Sequence, residues 1–251
     1  MDLLTKRHCK IAWDNLAAEY YSEAHETSRN FDAIISYHLP KVAPKLCSIG
    51  LYLDLGGGRG RIQELYGDRD FQIVLGDFSV PMMKARHDQS KITFRVQMDA
   101  FNMPFKSRTF DGVFSLIGDS YALRKAFQEV FRVLKRDGFF LLTLPTKIWR
   151  QNLMSALSIK ENETIFRLSN GTQVKVPSYL YSINGLKRIL HSSGFRKVEV
   201  GEWKSIDIIE RSSFSKHVII AAENLRLVPE ELPLIIYAIA SKDQKSKRLK
   251  A

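Results

Sequence analysis

The chain has 251 residues, of which 45% are hydrophobic, and its formal net charge is +11. This length suits one hydrophobic core, so we predict a single domain over residues 1–251. No apolar run approaches the roughly 20 residues that span a bilayer, and the N-terminus lacks the apolar centre of a signal peptide, which predicts a cytoplasmic protein without a membrane partner. Cys9 and Cys47 lack metal-ligand spacing, so we expect neither a disulfide nor a metal site.

The N-terminal part of the chain has the apolar spacing of helices. This pattern covers residues 3–39, and Pro40 and Pro44 are expected to end it before the first strand. We therefore predict a helical N-terminal cap over residues 1–45.

The segment LYLDLGGGRGRI, residues 51–62, is a buried strand that runs into a glycine-rich turn. The strand carries Asp54, and glycines follow at Gly56, Gly58 and Gly60. Such a turn lets backbone N–H groups at a helix N-terminus meet the polar groups of a ligand. A dinucleotide fingerprint has its third glycine at the sixth position, where this chain has Arg61. The turn indicates a nucleotide-like cofactor, and its spacing departs from that of NAD sites.

Acidic residues follow the next two predicted strands. Asp77 ends the apolar run at residues 73–75, and Asp99 follows the strand predicted at residues 92–97. A carboxylate after the second strand can accept both hydroxyls of a ribose. Each acid also has a structural alternative, since Asp54 could cap the glycine turn and Asp77 or Asp99 could be a helix N-cap.

Strands and helices alternate as far as residue 144, which predicts right-handed crossovers and a doubly wound α/β sheet. The fourth strand is predicted at residues 112–116, and the fifth follows a Lys-Arg-Asp-Gly turn at residues 135–138. Residues 146–181 then form an insertion in which Asn170-Gly171 predicts a type I′ hairpin.

The C-terminal part contains two further strands. A helix that ends at Gly194 precedes the sixth strand, and residues 216–227 are predicted to be helical. The seventh strand is predicted at residues 232–240, although residues 217–222 offer an alternative. Pro229 and Pro233 separate the two runs and favour the later one.

These motifs resemble class I S-adenosylmethionine (SAM) dependent methyltransferases, in particular the Methyltransferase type 11 branch with the ubiquinone and menaquinone methyltransferases. The glycine turn, Asp99-Ala100, Met-Pro-Phe at residues 103–105 and Phe-Asp at residues 110–111 carry the resemblance. It covers residues 13–145 well and residues 179–200 more loosely. It implies a Rossmann-like seven-stranded sheet with an antiparallel last strand. It also implies SAM as cofactor without a metal, and direct methyl transfer to oxygen, nitrogen or carbon of a small molecule.

The resemblance also implies which residues bind the cofactor. They are Tyr20, Asp54, Gly56, Gly58, Asp77, Phe78, Asp99, Ala100 and Leu116. In the family, the match of Asp54 organises the methionine end, and Asp77 takes the ribose diol. Asp99 meets the adenine amine, Phe78 lies along the ring, and Leu116 lies beneath the sulfonium. Tyr20 matches a tyrosine that closes over the methionine, although it could equally be an interfacial aromatic.

The acceptor is predicted to bind beneath the N-terminal cap and the insertion. Aromatic side chains suited to this pocket are Tyr21, Tyr121, Trp149 and Phe166. Asp119 and His25 are the candidates that orient the acceptor or take its proton. Asp119 could instead cap a helix, and the hairpin could instead pair two subunits.

The net charge supports a second function, methylation of tRNA or another nucleic acid. The basic residues are scattered or lie in the C-terminal tail, without the aromatic interleaving of a nucleic-acid stripe. Residues 117–121, Ile-Gly-Asp-Ser-Tyr, also differ from the Asn/Asp-Pro-Pro-Tyr motif of DNA amino-methyltransferases. A third alternative is a SAM-binding partner subunit without catalysis.

Overall fold

The structure is a computed structural model, and it describes residues 3–22, 25–44, 49–66, 71–85, 94–157, 163–206 and 208–242. Within these ranges, no helix is both long and apolar enough to cross a membrane. Cys47 and the predicted start of the third strand at Ile92 lie outside the described residues.

Helices and strands alternate through most of the described chain. The helices are α1 (Leu3–Leu16), α2 (Glu26–Val42), α3 (Arg61–Tyr66), α4 (Val80–Lys84), α5 (Arg124–Val133), α6 (Lys147–Leu157), α7 (Ile183–Ser192) and α8 (Lys216–Asn224). The strands are β1 (Leu51–Leu55), β2 (Gln72–Asp77), β3 (Phe94–Gln97), β4 (Phe110–Ser115), β5 (Leu134–Pro145), β6 (Glu163–Arg167), β7 (Gln173–Pro177), β8 (Lys197–Trp203) and β9 (Ile235–Ser241).

The central sheet has the strand order β3-β2-β1-β4-β5-β9-β8. Strands β1 to β5 pair in parallel, whereas β9 lies antiparallel between β5 and β8. This confirms the doubly wound sheet with an antiparallel last strand. The choice of residues 232–240 for that strand is also confirmed, since residues 217–222 lie within α8.

Apolar side chains cover both faces of the sheet. Leu53 and Val113 face the core that contains residues of α5 and α7, whereas Tyr52 and Phe114 face the core with residues of α2, α3 and α8. All four are at most 2% exposed. Burial of one such side chain contributes about 1.5–3 kcal/mol to folding, which explains the near-continuous apolar runs of β1 and β4.

The path of the chain reverses between β1 and β4. From β1 it proceeds to β2 and β3 on one side, and from β4 it proceeds to β5 on the other. The loops after the two strands therefore diverge and leave a crevice at their carboxyl ends, which is the usual ligand site of such sheets.

The N-terminal cap and the insertion pack against each other. Ala12 and Leu16 of α1 share a hydrophobic cluster with Val174 and Val176 of β7. At the hairpin tip, the carboxylate of Glu19 accepts hydrogen bonds from the backbone N and the hydroxyl of Ser169 at 2.7 and 2.8 Å. The cap and the hairpin therefore form one cover beside the sheet.

Two predicted boundaries differ from the structure. Pro40 does not end the N-terminal helical segment, because it lies in the last turn of α2, where it removes only one backbone hydrogen bond. The predicted turn at residues 135–138 lies within β5. Phe110 pairs with Leu134 and Gly112 with Phe139, so these residues form an irregularity opposite β4.

The hairpin exists, but its predicted type I′ turn is wrong. Arg167 pairs with Gln173, and the backbone N of Gly171 donates to Leu168 O at 2.9 Å. Gly171 has a φ of +84°, whereas Asn170 is not among the residues with positive φ. A type I′ turn needs positive φ at both central residues, so the loop is longer, with the left-handed residue at Gly171 alone.

Candidate active site

Two adjoining cavities lie at the carboxyl ends of the parallel strands. The inner cavity, about 140 Å³, follows the glycine turn and the ends of β2 and β3. The outer cavity, about 660 Å³, lies between the start of α2, α6, the hairpin and the start of α8. Trp13, Tyr20 and Ile117 line both, so these side chains form the boundary between them.

The glycine turn passes closely beneath the inner cavity. The backbone N of Gly56 donates to Gly76 O at 2.7 Å, which joins the turn to β2. Gly56 and Gly58 have φ values of +64° and +50°, a region that favours glycine. A Cβ on Gly58 would lie 2.1 Å from the hydroxyl oxygen of Tyr21. Both the backbone conformation and the lack of space therefore require glycine here.

Asp54 lies fully buried below the turn. A Cβ on Gly57 would lie 2.5 Å from its carboxyl carbon, and the side-chain amide of Gln63, turned so that its nitrogen faces Asp54, can donate to Oδ2 at 3.0 Å. Its Oδ1 is buried without a hydrogen-bond partner among the described residues. Burial raises the pKa of Asp54 to about 7, against the opposing effect of the Ile62 amide. The carboxylate thus supports the turn and leaves one oxygen for a ligand.

Asp77 ends β2 and faces the inner cavity. Its Oδ2 accepts from the backbone N of Gly58 and its Oδ1 from the backbone N of Ser79, at 2.9 and 2.8 Å. Each carboxylate oxygen has a second lone pair, so both can still accept a hydroxyl hydrogen. Burial raises the pKa of Asp77 to about 6 despite these backbone donors.

The other residues predicted to bind the cofactor line the same inner cavity. They are Phe78, Asp99, Ala100 and Leu116. Asp99 follows β3, and its Oδ1 accepts from the backbone N of Phe101 at 2.9 Å. Acids at the carboxyl ends of β1, β2 and β3 therefore lie along one cavity, because parallel strands bring these ends to the same edge of the sheet.

Three tyrosines surround the glycine turn, and two of them do not line the cavity predicted to bind the acceptor. Tyr21 and Tyr121 were predicted to contact the acceptor, but both line the inner cavity. Tyr21 accepts from the backbone N of Arg59 at 3.1 Å, and Tyr121 donates to Leu55 O at 2.6 Å. Both hydroxyls are thus engaged by the glycine turn and the end of β1. Tyr20 lies at the boundary, and burial raises its pKa.

Asp119 and His25 line the outer cavity together. Asp119 Oδ2 accepts from the hydroxyl of Ser178 at 2.5 Å, and burial raises the pKa of Asp119 to about 6. His25 immediately precedes α2, and its Nε2 is buried without a hydrogen-bond partner in the described part of the chain. Burial lowers the pKa of His25. A carboxylate and a neutral imidazole therefore both line this cavity.

Aromatic rings cover the outer cavity. Phe166 of β6 lies 5.6 Å from the rings of both Tyr20 and His25, between ring centroids. Trp149 of α6 is 4% exposed and packs edge-on against Phe31 at 5.2 Å. Trp149 and Phe166 thus lie in the cover, where the sequence predicted them.

Arg150 lies beside Trp149 on α6 and lines the outer cavity, with 5% of its surface exposed. A terminal nitrogen of its guanidinium donates to the backbone O of Glu163, and its Nε has no hydrogen-bond partner among the described residues. Burial lowers the pKa of Arg150, and the charge of Asp119 opposes this effect. An arginine stays protonated throughout the physiological range, so the cavity wall contains a buried positive charge.

Ile117 follows β4 at the boundary of the two cavities. Its φ is +51°, a strained value for a β-branched residue, and its backbone N donates to Thr143 Oγ1 at 3.0 Å. The hydrogen bond from β5 thus helps to hold the backbone between the cavities in an unusual conformation.

Ion pairs join the N-terminal cap to the glycine turn. Arg59 and Arg61 of the turn and α3 lie 3.0 and 4.0 Å from the carboxylate of Asp32 on α2. Glu64 pairs with the same two arginines at 3.4 and 2.6 Å. Several partly buried charges in one network hold position better than isolated surface pairs do.

Comparison with known proteins agrees with this geometry. Residues 53–142 match a protein family described as a methyltransferase domain, Methyltransferase type 11. The match spans the glycine turn, Asp77, Asp99 and the end of β4. Residues 53–142 are therefore similar to a type 11 methyltransferase domain. The demethylmenaquinone methyltransferase of Paenarthrobacter aurescens is 36% identical over 89 residues, which are 34% of this chain and 35% of that protein.

Solved structures share the fold of the domain and its flanking elements. The Haloferax volcanii chain in complex with the Trm112 methyltransferase activator has a TM-score of 0.65 at 15% identity, covering 92% of this chain and 98% of the other. DhpI in complex with SAM and the ligand HEP has a TM-score of 0.64 at 15% identity, covering 96% and 99%. The curated relatives match over at most 61% of their own length.

The sequence did not identify several residues of the site, namely Arg150, His217, Ile117 and the acidic partners of Arg59. Arg150 follows Trp149 in the predicted insertion, so a search for charges beside the proposed aromatic lid would have found it. His217 lines the outer cavity from α8, a helix more than 90 residues after β4 whose approach no local pattern of the methyltransferase domain indicates. The position of Ile117 depends on a φ value that its residue type disfavours.

Proposed function

We propose that the chain is a SAM-dependent methyltransferase that transfers a methyl group directly to an oxygen, nitrogen or carbon atom of a small molecule in the outer cavity. The observation that carries this proposal is the common boundary of the two cavities at Tyr20 and Ile117. A cofactor along the glycine turn and an acceptor beneath the aromatic cover would meet there.

The groups of the inner cavity fit SAM. The orphaned Oδ1 of Asp54 can accept from the methionine end, and both oxygens of Asp77 can accept from the ribose diol. In the proposed arrangement Phe78 lies along the adenine, and Asp99 with the Ala100 backbone meets its amine. Gly56 and Gly58 provide the close backbone approach, Leu116 lies beneath the sulfonium, and Tyr20 covers the methionine moiety.

Bound SAM would supply a methyl group already activated by its sulfonium. The chain then has to orient the acceptor, exclude water and accept a proton where the acceptor loses one. Trp149 and Phe166 would exclude water from the outer cavity. Asp119 is the proposed proton acceptor, held in place by the hydrogen bond from Ser178. His25 is the second candidate, since its Nε2 is buried and unpartnered in the described structure.

We expect Gly58→Ala to weaken SAM binding by at least about tenfold, because the added Cβ would force the Tyr21 hydroxyl away from the turn. Isothermal titration with SAM measures this. The matched control is Gly171→Ala, which also places alanine at positive φ but has no atom within 4 Å of the new Cβ. Both variants should lose roughly 1 kcal/mol of stability from backbone strain. Equal SAM affinity in the two variants would remove the glycine turn from the proposed site.

The size of the outer cavity, about 660 Å³, and its aromatic lining by Trp149 and Phe166 support a small acceptor over a nucleic acid. The nucleic-acid alternative rests on the net charge of +11. Part of this charge belongs to residues 243–251, which lie outside the described structure. Lys242, just before them, donates to Leu134 O at 2.6 Å and is part of the fold. A steep loss of RNA binding with rising salt would favour the nucleic-acid alternative.

The third alternative is a partner subunit that binds SAM without catalysis. The similar Haloferax volcanii chain was solved with an activator protein, so an accessory partner is a further proposal for this chain. SAM binding without transfer to any acceptor would favour either a silent subunit or an enzyme that needs an activator. Recovery of transfer on addition of a Trm112-type activator would distinguish an activated enzyme from a silent subunit.

The test of the proposed function is a screen for methyl transfer from labelled SAM to small-molecule and RNA acceptors. We expect labelled methyl on a small molecule, with formation of an equal amount of S-adenosylhomocysteine. Transfer to RNA alone would overturn the proposed acceptor class, and no SAM binding would overturn the proposed function as a whole.

A further inference from the structure

We propose that the outer cavity selects an acceptor that carries an oxyanion, a carboxylate or a phosphate-type group, and that Arg150 binds this group. The inference rests on the proposed function, because it concerns the acceptor of the same site. It adds a substrate class that the aromatic cover alone would not indicate.

The first observation is the set of unpartnered nitrogens in the outer cavity. His25 Nε2, Trp149 Nε1 and Arg150 Nε are all buried without hydrogen-bond partners among the described residues. All three residues line this cavity. Buried polar groups in folded proteins nearly always have a partner, so three nitrogens without one around a single cavity point to a ligand that accepts hydrogen bonds. An oxyanion has several lone pairs and no obligatory donor, which matches this set.

The second observation is the incomplete neutralisation of Arg150. Arg150 is 5% exposed, yet no carboxylate of the described residues lies within 4.0 Å of its guanidinium. One guanidinium nitrogen is used by the backbone O of Glu163. The planar fork suits a carboxylate or a phosphate, and a buried cation is stable only when such a partner compensates its lost hydration.

The third observation is the positive character of the surrounding wall. The first residues of α2 and of α8, His25–Ser28 and Ser215–His217, line the cavity, so the positive ends of two helices lie at it. Lys216 and Arg167 add positive charge, against the carboxylates of Glu26 and Asp119. This electrostatic balance favours an anionic ligand over a cationic one.

The same geometry orients the acceptor. Arg150 lies on α6, whereas Ile117 follows β4 at the boundary with the inner cavity and Asp119 lines the outer cavity two residues later. An oxyanion held by Arg150, with an apolar body between Trp149 and Phe166, would present its other end toward this boundary. The nucleophile would then lie on the side of the cavity where Asp119 can accept its proton.

The experiment measures binding of three probes to the chain saturated with S-adenosylhomocysteine. Benzoate and phenyl phosphate carry the two oxyanion types on one aromatic body, and benzamide is the uncharged match of benzoate. We expect benzoate or phenyl phosphate to bind at least tenfold more tightly than benzamide, and the tighter of the two identifies the anion. If the unaltered chain binds benzamide as tightly as both anions, the inference is wrong, and this result does not depend on any variant.

Variants assign the binding to Arg150. We expect Arg150→Gln to weaken binding of the preferred anion at least tenfold and leave benzamide unchanged, with partial recovery in Arg150→Lys. The control is Arg188→Gln, since Arg188 on α7 is exposed and is not among the residues that line either cavity, and its effect should stay below twofold. Unchanged anion binding in Arg150→Gln overturns the inference. If S-adenosylhomocysteine itself does not bind to the unaltered chain, the proposed function fails instead.

Discussion

Asp119→Asn is expected to lower kcat for methyl transfer by about 10²–10⁴-fold while leaving the affinity for S-adenosylhomocysteine within about twofold. Asparagine keeps the shape of the side chain and can still accept from Ser178, but it cannot take a proton. Asp119 lines the outer cavity and not the inner one, so the cofactor should bind normally. Steady-state kinetics with the acceptor found in the screen gives both parameters.

The pH profile separates a proton acceptor from a positioning residue. Burial raises the pKa of Asp119 to about 6, so kcat of the unaltered chain should fall as the pH decreases through about 6, where the carboxylate becomes protonated. His25→Ala keeps this limb if His25 only orients the acceptor. A kcat of Asp119→Asn within threefold of the unaltered chain, with the same acidic limb, would contradict the assignment.

Asp77→Ala is expected to weaken SAM by about 1.5–3 kcal/mol, or about 10–150-fold, because it removes the acceptor for both ribose hydroxyls. The variant also loses the acceptor of two backbone hydrogen bonds, which should lower stability, but the fold should persist because the raised pKa of Asp77 means that its buried charge itself costs stability. Titration calorimetry with SAM, together with chemical denaturation, distinguishes the two effects.

Asp111→Ala is the matched control for Asp77→Ala. Asp111 also accepts a hydrogen bond from a backbone N, that of Leu51 at 2.9 Å, but it lies at the opposite end of β1 from the glycine turn. Its loss should lower stability and leave SAM affinity unchanged. If the two variants weaken SAM equally, Asp77 has no direct role in the cofactor site.

The strand ends were predictable from the sequence because parallel strands bring their carboxyl ends to one edge. The order of the strands was enough to predict that Asp54, Asp77 and Asp99 lie along one cavity. The positive φ of Gly56 and Gly58 followed from the same pattern, since few other residues adopt it.

The roles of Tyr21 and Tyr121 were not predictable, because neighbours in sequence can face different cavities. Tyr20 lies at the boundary, whereas the next residue points its hydroxyl at Arg59 N. Helical spacing predicts which residues share a face, but residues 17–22 form turns after α1. The hydrogen bonds of the glycine turn decide where these tyrosines lie, and such tertiary contacts are absent from local sequence patterns.

Arg150 shows the same limit for charged residues. Residues 147–157 were predicted only as part of the insertion, and arginine side chains are mostly exposed in proteins, so the sequence did not indicate that Arg150 is buried. Only the packing of α6 beside α8 and the hairpin buries its guanidinium. That no carboxylate of the described residues pairs with Arg150 is likewise a property of the assembled cavity.

Direct titration of the purified chain with SAM, S-adenosylhomocysteine and NAD tests the central claim. We predict that SAM and S-adenosylhomocysteine bind at one site per chain and that NAD does not bind, because the turn carries Asp54, the three glycines and Asp77 in the spacing of a SAM site. Binding of NAD without binding of SAM would contradict the account.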